Sequence, residues 1–562
     1  MKNYLLTLAL FAFGGAAHAT SYYVSDCGSG ASTQCVAGSD ANAGTSPSAP
    51  WKSCDQVTTR FSGLAAGDQV LFARGSAQTA CKISYVSNLN SRAANPIVLG
   101  AYTPSWASSG APDPILRGTA STYGLSLYNS GNSTHDEGYV IQDIHFIGAG
   151  VSASMAGIIL GNDVKYVTLQ RIEVEQFTLG IQCAGGTNSS LAAGSDGWTA
   201  HIVIRNANIH NNRGIGLLTG CSDMLVENST FDSNGIGMLD HHIYLTDASI
   251  PGTPARPVSQ VVIRNNVLTN NSPYASTSAA APTAGGCGAV AIVVHGQQTG
   301  VVIEGNTIAE PTIPNNGSCW GISADSGAYG KVEGFSNVVV RGNTVINYSV
   351  GIGLDMCDTC TVENNYIYSE FSAASGIAAP SKIWDAHIAG NTLNNNLTVR
   401  NNTVYLKNPS AGSAAIRVSR EGNTNKVTSN LIYFGTSASS STQCFNTTGL
   451  SPSAFAAFDY NLCFFSGSTG TWDSVRTTLS TQRAAGFDGH SLTVNPNVTP
   501  SVSFPYGLVV PSASPTIKAG HPTLSSAFAI GGLRRNTTSD IGANQLGATV
   551  VVPNAPTSVG IQ

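Results

Sequence analysis

The densest run of polar and aromatic groups in this chain is Asp240-His241-His242-Ile243-Tyr244-Leu245-Thr246-Asp247. Residues two apart on a strand share a face, so His242 and Tyr244 can offer a base and an acid to one substrate. Those two roles, with something to neutralise a carboxylate, are what proton abstraction beside a uronate carboxyl and departure of the 4-linked sugar require. A second chemistry is written in Asp325 and Asp355. Two carboxylates can divide into general acid and base or nucleophile, or share a cation such as Ca²⁺.

The elements that must position these groups are short apolar runs centred on Ile158, Ile181, Ile215, Ile243, Ile292, Ile322, Ile352, Ile377 and Ile416. Each is four to six residues long with apolar positions two apart, which is strand periodicity and too short for a helix. With the central Ile pointing inward, the residue two later is also inward: Leu217, Leu245, Val294, Ala324, Leu354, Ala379 and Val418. Outward positions then fall one before, one after and three after the Ile. Three after, successive runs give Leu218, Thr246, His295, Asp325, Asp355, Pro380 and Ser419; one after, they include Tyr244, Ser323, Gly353 and Arg417; one before, His242, Ala291, Gly321, Gly351, Gly376 and Ala415. The expected site is therefore His242, Tyr244, His295, Asp325 and Asp355 as catalytic groups, with Thr246, Ser323 and Arg417 touching substrate. It spans four consecutive coils, roughly 15 Å at the parallel-strand spacing. Its floor of Gly, Ala and Ser would let a sugar ring approach, and Arg417, or Ca²⁺ held by Asp325 and Asp355, would neutralise the acid group.

A second series follows one rule, an aliphatic residue with Asn three positions later: Ile263 with Asn266, Ile303 with Asn306, Val340 with Asn343, Val362 with Asn365, Val399 with Asn402 and Val427 with Asn430, with looser copies at Ile204 and Val226. A unit of about 22 residues stretched by insertions is the mark of stacked supersecondary units. Stacking would align the Asn side chains as a ladder of amides at a turn, each satisfying the next coil's polar groups.

Charged residues make up only 10% of the chain and the formal net charge is −5, or −6 once Lys2 is removed with the leader. That excludes a nucleic-acid footprint and a membrane-seeking basic patch. The first 19 residues read as a signal peptide, with an apolar stretch from Tyr4 to Phe13 and Ala17-His18-Ala19 as cleavage site. All twelve cysteines follow it, an even number for an oxidising compartment. Pairing neighbours in sequence gives Cys27 with Cys35, Cys54 with Cys81, Cys183 with Cys221, Cys287 with Cys319, Cys357 with Cys360 and Cys444 with Cys463. The C-x-x-C of the fifth pair reads as a clip at a coil turn. His135-Asp136-Glu137 reads as a solvated turn, His201, His210 and His387 as local hydrogen-bonding groups, and Arg420-Glu421 as a surface pair.

Tyr23-Val24-Ser25, Gly38-Ser39-Asp40-Ala41-Asn42-Ala43-Gly44-Thr45, Pro50-Trp51 and Gly67-Asp68-Gln69-Val70-Leu71-Phe72 together resemble the N-terminal cap of secreted right-handed parallel β-helix proteins, the architecture of pectate lyases, alginate and chondroitinase B-like lyases and several glycoside hydrolases. The resemblance implies an all-β solenoid closed by a cap, in which Gln56 to Leu64 forms a short plugging helix. It also implies elimination chemistry, and the related mannuronan epimerases likewise keep Tyr, His and Asp close together. The chain departs from these families in having no Asp-Pro-His-Glu motif, no Lys/Arg lyase pair, no pectate-lyase calcium signature and no polygalacturonase pattern. The expected organisation is a signal peptide at 1–19, a cap at 20–96, coils at 97–434 and a closing segment at 435–562 of the same domain, with a frayed tail from Pro553. The expected protein is an exported monomer acting on a polysaccharide, first by β-elimination at a uronate linkage, second by hydrolysis at Asp325 and Asp355, third as a non-catalytic glycan-binding or surface β-helix.

Overall fold

The computed structural model describes residues 19–129, 132, 134–150, 155–183, 197–237, 240–246, 258–271, 290–312, 319–325, 334–370, 375–380, 394–419, 421–467 and 470–547. One coil shows how the chain winds. It starts with Val290–Val294, passes through Gln297–Thr299, continues as Val302–Glu304 and, after a two-residue bend, as Thr307–Ala309. Trp320–Ala324, Gly334–Ser336, Val339–Arg341 and Thr344–Ile346 repeat that order. Every pairing between the two coils is parallel and in register, with Ile292 beside Ile322, Ile303 beside Val340 and Ile308 beside Val345. All these side chains are buried, so the interior is a set of aliphatic columns running along the axis.

Across the described residues this winding builds a thirteen-stranded sheet, a composite twenty-five-stranded sheet and a four-stranded sheet. Parallel pairing already begins with Ser21–Val24 on Gln69–Ala73, and it reaches Leu462–Phe465 and Thr471–Asp473. The fold is the all-β parallel solenoid that the repeats predict.

The two-residue bend explains the Asn repeat. Its first residue sits in the left-handed region: Asn265 (φ 54°), Gly305 (65°), Gly342 (64°), Asn364 (56°) and Asn401 (52°). Gly and Asn tolerate that conformation best. The ladder Asn comes next. Asn266 donates through its backbone N–H and its Nδ2 to Asn306 Oδ1 (both 3.0 Å), and through Nδ2 to Val226 O. Asn306, Asn343, Asn365, Asn402 and Asn430 repeat this on the following coil, ending at Asn461. In the two looser copies Ala207 and Ser229 occupy the position, and Ala207 N–H donates to Ser229 Oγ. A ladder Asn has both an acceptor and two donors to spend, so a buried column of them leaves few backbone groups of the bend unpaired.

The plugging helix is Cys54–Phe61 rather than Gln56 to Leu64. Ser53 caps it by accepting from Gln56 N–H, which fixes the start, and Cys54, Val57 and Phe61 face the core. At the other end, residues after 490 lie on the outside of the large sheet, where Leu508 and Ile541 pack with Tyr366, Leu431 and Leu462. Arg535 ties them down by donating to Asn364 Oδ1 and to the carbonyls of Gly542 and Ala543. The tail from Pro553 lies outside the described residues.

Five expected disulfides are present: Cys27–Cys35, Cys54–Cys81, Cys183–Cys221, Cys357–Cys360 and Cys444–Cys463. Cys319 is disulfide-bonded; Cys287 lies outside the described residues. Such a set belongs to an oxidising compartment. Among the described residues no helix is long and apolar enough to cross a membrane.

Candidate functional site

The expected site residues lie on or beside strands of the thirteen-stranded sheet, with two corrections of register. Ile243 pairs with Leu217, not with Ile215, so Leu218 neighbours Tyr244 and the outer rows of that coil move by two residues. Beyond it the rows run as expected: Tyr244, Val293, Ser323, Gly353, Ala378 and Arg417 are successive neighbours. The row of Thr246, His295, Asp325 and Asp355 is held by the bonds from their backbone N–H groups to Thr219, Leu245, Val294 and Ala324.

The second correction concerns the row one before the Ile, which faces inward. A Cβ added to Gly321, Gly351 or Gly376 would strike the core side chains of Val345, Ile367 or Val404. The chain turns a corner into each strand, so two consecutive residues face the interior and strict alternation fails there. His242 sits in this row. It is 0% exposed, 3.2 Å from Asn234 Nδ2 and edge-on to Phe231. Burial drives its pKa down to about 4. It is an interior imidazole and does not share a face with Tyr244.

The outer position belongs to His241, two before the Ile, in the row of Val290, Trp320, Val350 and Ser375. Its Nδ1 lies against the backbone of Val290 (3.1 Å to N, 3.0 Å to O), and burial holds its pKa down to about 3. Tyr244 stands between two imidazoles, 5.2 Å from the His241 ring and 5.3 Å from the His295 ring, edge-to-face with the latter at 88°.

His295 has a defined tautomer. Its Nδ1 faces Asp325 O at 2.8 Å and Asp325 Oδ1 at 3.2 Å, two acceptors, so the proton of the neutral ring is on Nδ1 and Nε2 carries the lone pair. Asp325 is fixed in turn by Ser323 Oγ, which donates to Oδ2 at 2.6 Å. Asp355, one coil further on, is 0% exposed and accepts from Met356 N–H. Thr246 is half-buried beside them. Arg417 stands in the Tyr244 row three coils beyond Ser323, roughly 14 Å away. The small-residue floor is partly filled: a Cβ on Gly353 would meet the Trp320 ring at 2.8 Å. Gly353 is thus the seat of an indole rather than open floor.

His135 and His201, read as incidental in the sequence, line a cleft of about 310 Å³ where the strands Lys165–Glu175, Ala200–Arg205 and Ser222–Glu227 of the large sheet begin. Tyr166 and His201, neighbours in adjacent coils, stack at 4.4 Å and 9°. His135 Nδ1 lies 3.2 Å from Asp163, which also pairs with Lys165 Nζ at 2.9 Å, and Trp198 completes the wall. Tyr166, His201 and Asp223 occupy equivalent positions of successive strands, each with positive φ. Further along the same large sheet, His145, Glu173 and Glu175 bring ligand atoms within 4.8 Å of one another and could hold a metal ion. His210 lies 2.8 Å from Glu173, whose carboxylate raises the His210 pKa. His387 and Arg420 lie outside the described residues.

Residues 117–329 match the model of the right-handed β-helix region. A stretch of 155 residues is 28% identical to lacto-N-biosidase of Bifidobacterium longum subsp. longum; it spans 28% of this chain and 8% of that protein. Among solved structures, a complex of XylC with xylose is similar over 94% of this chain and 98% of that one, at 10% identity and a TM-score of 0.50. The GH136 lacto-N-biosidase from Eubacterium ramulus is similar over 81% and 68%, at 13% identity and a TM-score of 0.41. With each coil paired in parallel to the next and residues 117–329 matching the right-handed β-helix region, the fold of the chain is a right-handed parallel β-helix.

Proposed function

We propose that this is a secreted, monomeric enzyme that cleaves a polysaccharide by β-elimination at a uronate linkage. The observation that carries the reading is the contact of His295 Nδ1 with Asp325, beside Tyr244. Asp325 orients the imidazole and stabilises the cation formed when Nε2 takes the proton from the carbon bearing the uronate carboxyl. The Tyr244 phenol gives its proton to the departing 4-linked oxygen. The C–O bond breaks, a C=C bond forms in the uronate ring, and one proton has been taken and one given. Each Asp325 oxygen keeps a lone pair beyond its contacts with Ser323 and His295, so Asp325 and Asp355 can together hold Ca²⁺ to neutralise the substrate carboxylate. Arg417 would engage an acidic sugar further along the groove.

Hydrolysis is the second reading. It is favoured by the placement of Asp355 directly after Asp325 in the ladder and by the local likeness to a lacto-N-biosidase. Incubation with alginate, polygalacturonate, hyaluronan and neutral glycans, followed by absorbance near 235 nm and by reducing-end release, separates the two. Unsaturated ends establish elimination; reducing ends without absorbance establish hydrolysis. Full activity in both Tyr244→Phe and His295→Ala would remove this site from either reaction, and chelation tests the cation.

A further inference from the structure

The thirteen-stranded sheet continues toward the N-terminus past the candidate site, and there its outer face carries three tyrosines. Tyr85 lies between Tyr123 and Tyr128, with ring centroids 5.8 and 5.5 Å apart. Tyr85 is 64% exposed, an unusual position for an aromatic ring in a close group. Its presentation is built into the backbone. Between Ile83 and Val86 the strand holds one residue more than its partner does between Leu125 and Leu127, and Tyr85 itself has φ 54°. A bulge of this kind re-aims a side chain. Beside the rings a cavity of about 360 Å³ is lined by Tyr85, Tyr123 and Lys82, with Asp55 and Thr58 of the capping helix as polar wall.

Tyr128 shares an outer row with the candidate site. Its neighbour in the next coil is Gly161, where an added Cβ would lie 2.6 Å from the Tyr128 ring, so the ring lies along the sheet toward the following coil. From the Tyr128 strand to the His295 strand the sheet takes five steps, roughly 24 Å at the parallel spacing. A pyranose unit extends a glycan chain by about the height of one coil. Aromatic faces with hydroxyl tips suit the apolar face and polar rim of such a ring.

Resting on the reading of the protein as a polysaccharide-cleaving enzyme, we infer that Tyr85, Tyr123 and Tyr128 form a distal subsite that stacks a sugar unit about five residues from the scissile bond. The occupant is one end of the same glycan chain whose other part lies on Tyr244 and His295. The enzyme therefore prefers polymer over short oligosaccharide, and the tyrosines set that preference without taking part in bond breaking.

Affinity electrophoresis in gels containing alginate, polygalacturonate, hyaluronan or xylan tests this. The wild-type protein should be retarded by one of them. Tyr85→Ala and Tyr128→Ala should weaken the retardation at least fivefold, and Tyr85→Phe should restore most of it because the ring is kept. KM should rise for the polymer and stay unchanged for di- and trisaccharides. Circular dichroism would verify folding, which the exposed Tyr85 position favours. Undiminished retardation of Tyr85→Ala, or equal loss on polymer and trisaccharide, overturns the subsite while leaving the reaction intact. A wild-type protein retarded by no glycan overturns the polysaccharide reading and the subsite with it.

Discussion

The asparagine column and the His295–Asp325 column both stack polar side chains from one coil to the next, yet they are composed differently. The first repeats one residue from Asn266 to Asn461, buried, each amide bonded to the next at about 3 Å. The second is varied, Gly220, Thr246, His295, Asp325 and Asp355 in successive coils, at the C-terminal ends of strands of the thirteen-stranded sheet. A charge row on the large sheet is of the first kind: Arg264 pairs with Glu227, Arg341 with Glu304 and Arg400 with Glu363 in regular alternation. A polar residue that recurs in every coil answers a need every coil has, the pairing of backbone groups at the bend. A polar group present in one or two coils answers no such shared need.

The sharpest way to break this contrast is to exchange the consequences. His295→Ala should lower turnover by about 10²–10⁴-fold, the range for loss of a general base, and leave the unfolding midpoint near that of the wild type. Steady-state rates beside a denaturant titration read both quantities; a stability loss with activity retained would make His295 a structural residue. Asn343→Leu should do the reverse. It strands the backbone and side-chain donors of Asn306 and the carbonyl of Ile303, costing about 3 kcal/mol, while activity per folded molecule is preserved.

The smallest effect lies in pH. His242 has its folded pKa lowered from 6.5 to about 4 by burial. Between those values the unfolded chain binds a proton that the folded one does not, so stability falls as pH drops from 6.5 toward 4 and this contribution is flat above 6.5. His242→Leu should reduce that slope in thermal melts between pH 4 and 7, leaving the share of His241, whose pKa is lowered in the same direction, and should spare activity at pH 7.5. Unchanged slope with lost activity would return His242 to the outer face.

Much of this was legible in the residues. Ile263 with Asn266 and its copies contain the solenoid, because a ladder position must be refilled in each coil and so leaves a repeat in the sequence. His295, Asp325 and Asp355 were legible as one row because alternation counted from Ile292, Ile322 and Ile352 holds through the C-terminal end of each strand to the residue that follows it. It fails at the corner, where His242 and Ile243 both face inward, and this transferred the outer imidazole to His241. The cleft of Tyr166, His201 and Trp198 was invisible for another reason: Tyr166 and His201 are the second residues of their strands and have positive φ, so simple alternation does not assign them a face.

The sequence by itself determined the winding, five of the disulfide pairs and the row that carries His295 and Asp325, since each rests on spacing along the chain. Only the tertiary structure decided which imidazole meets Tyr244, that Trp320 rather than open space covers Gly353, and that Tyr85, Tyr123 and Tyr128 gather at one end of the sheet. Those outcomes depend on corners, bulges and ring packing, where the direction of a side chain is set by neighbours from other coils and not by its own place in the repeat.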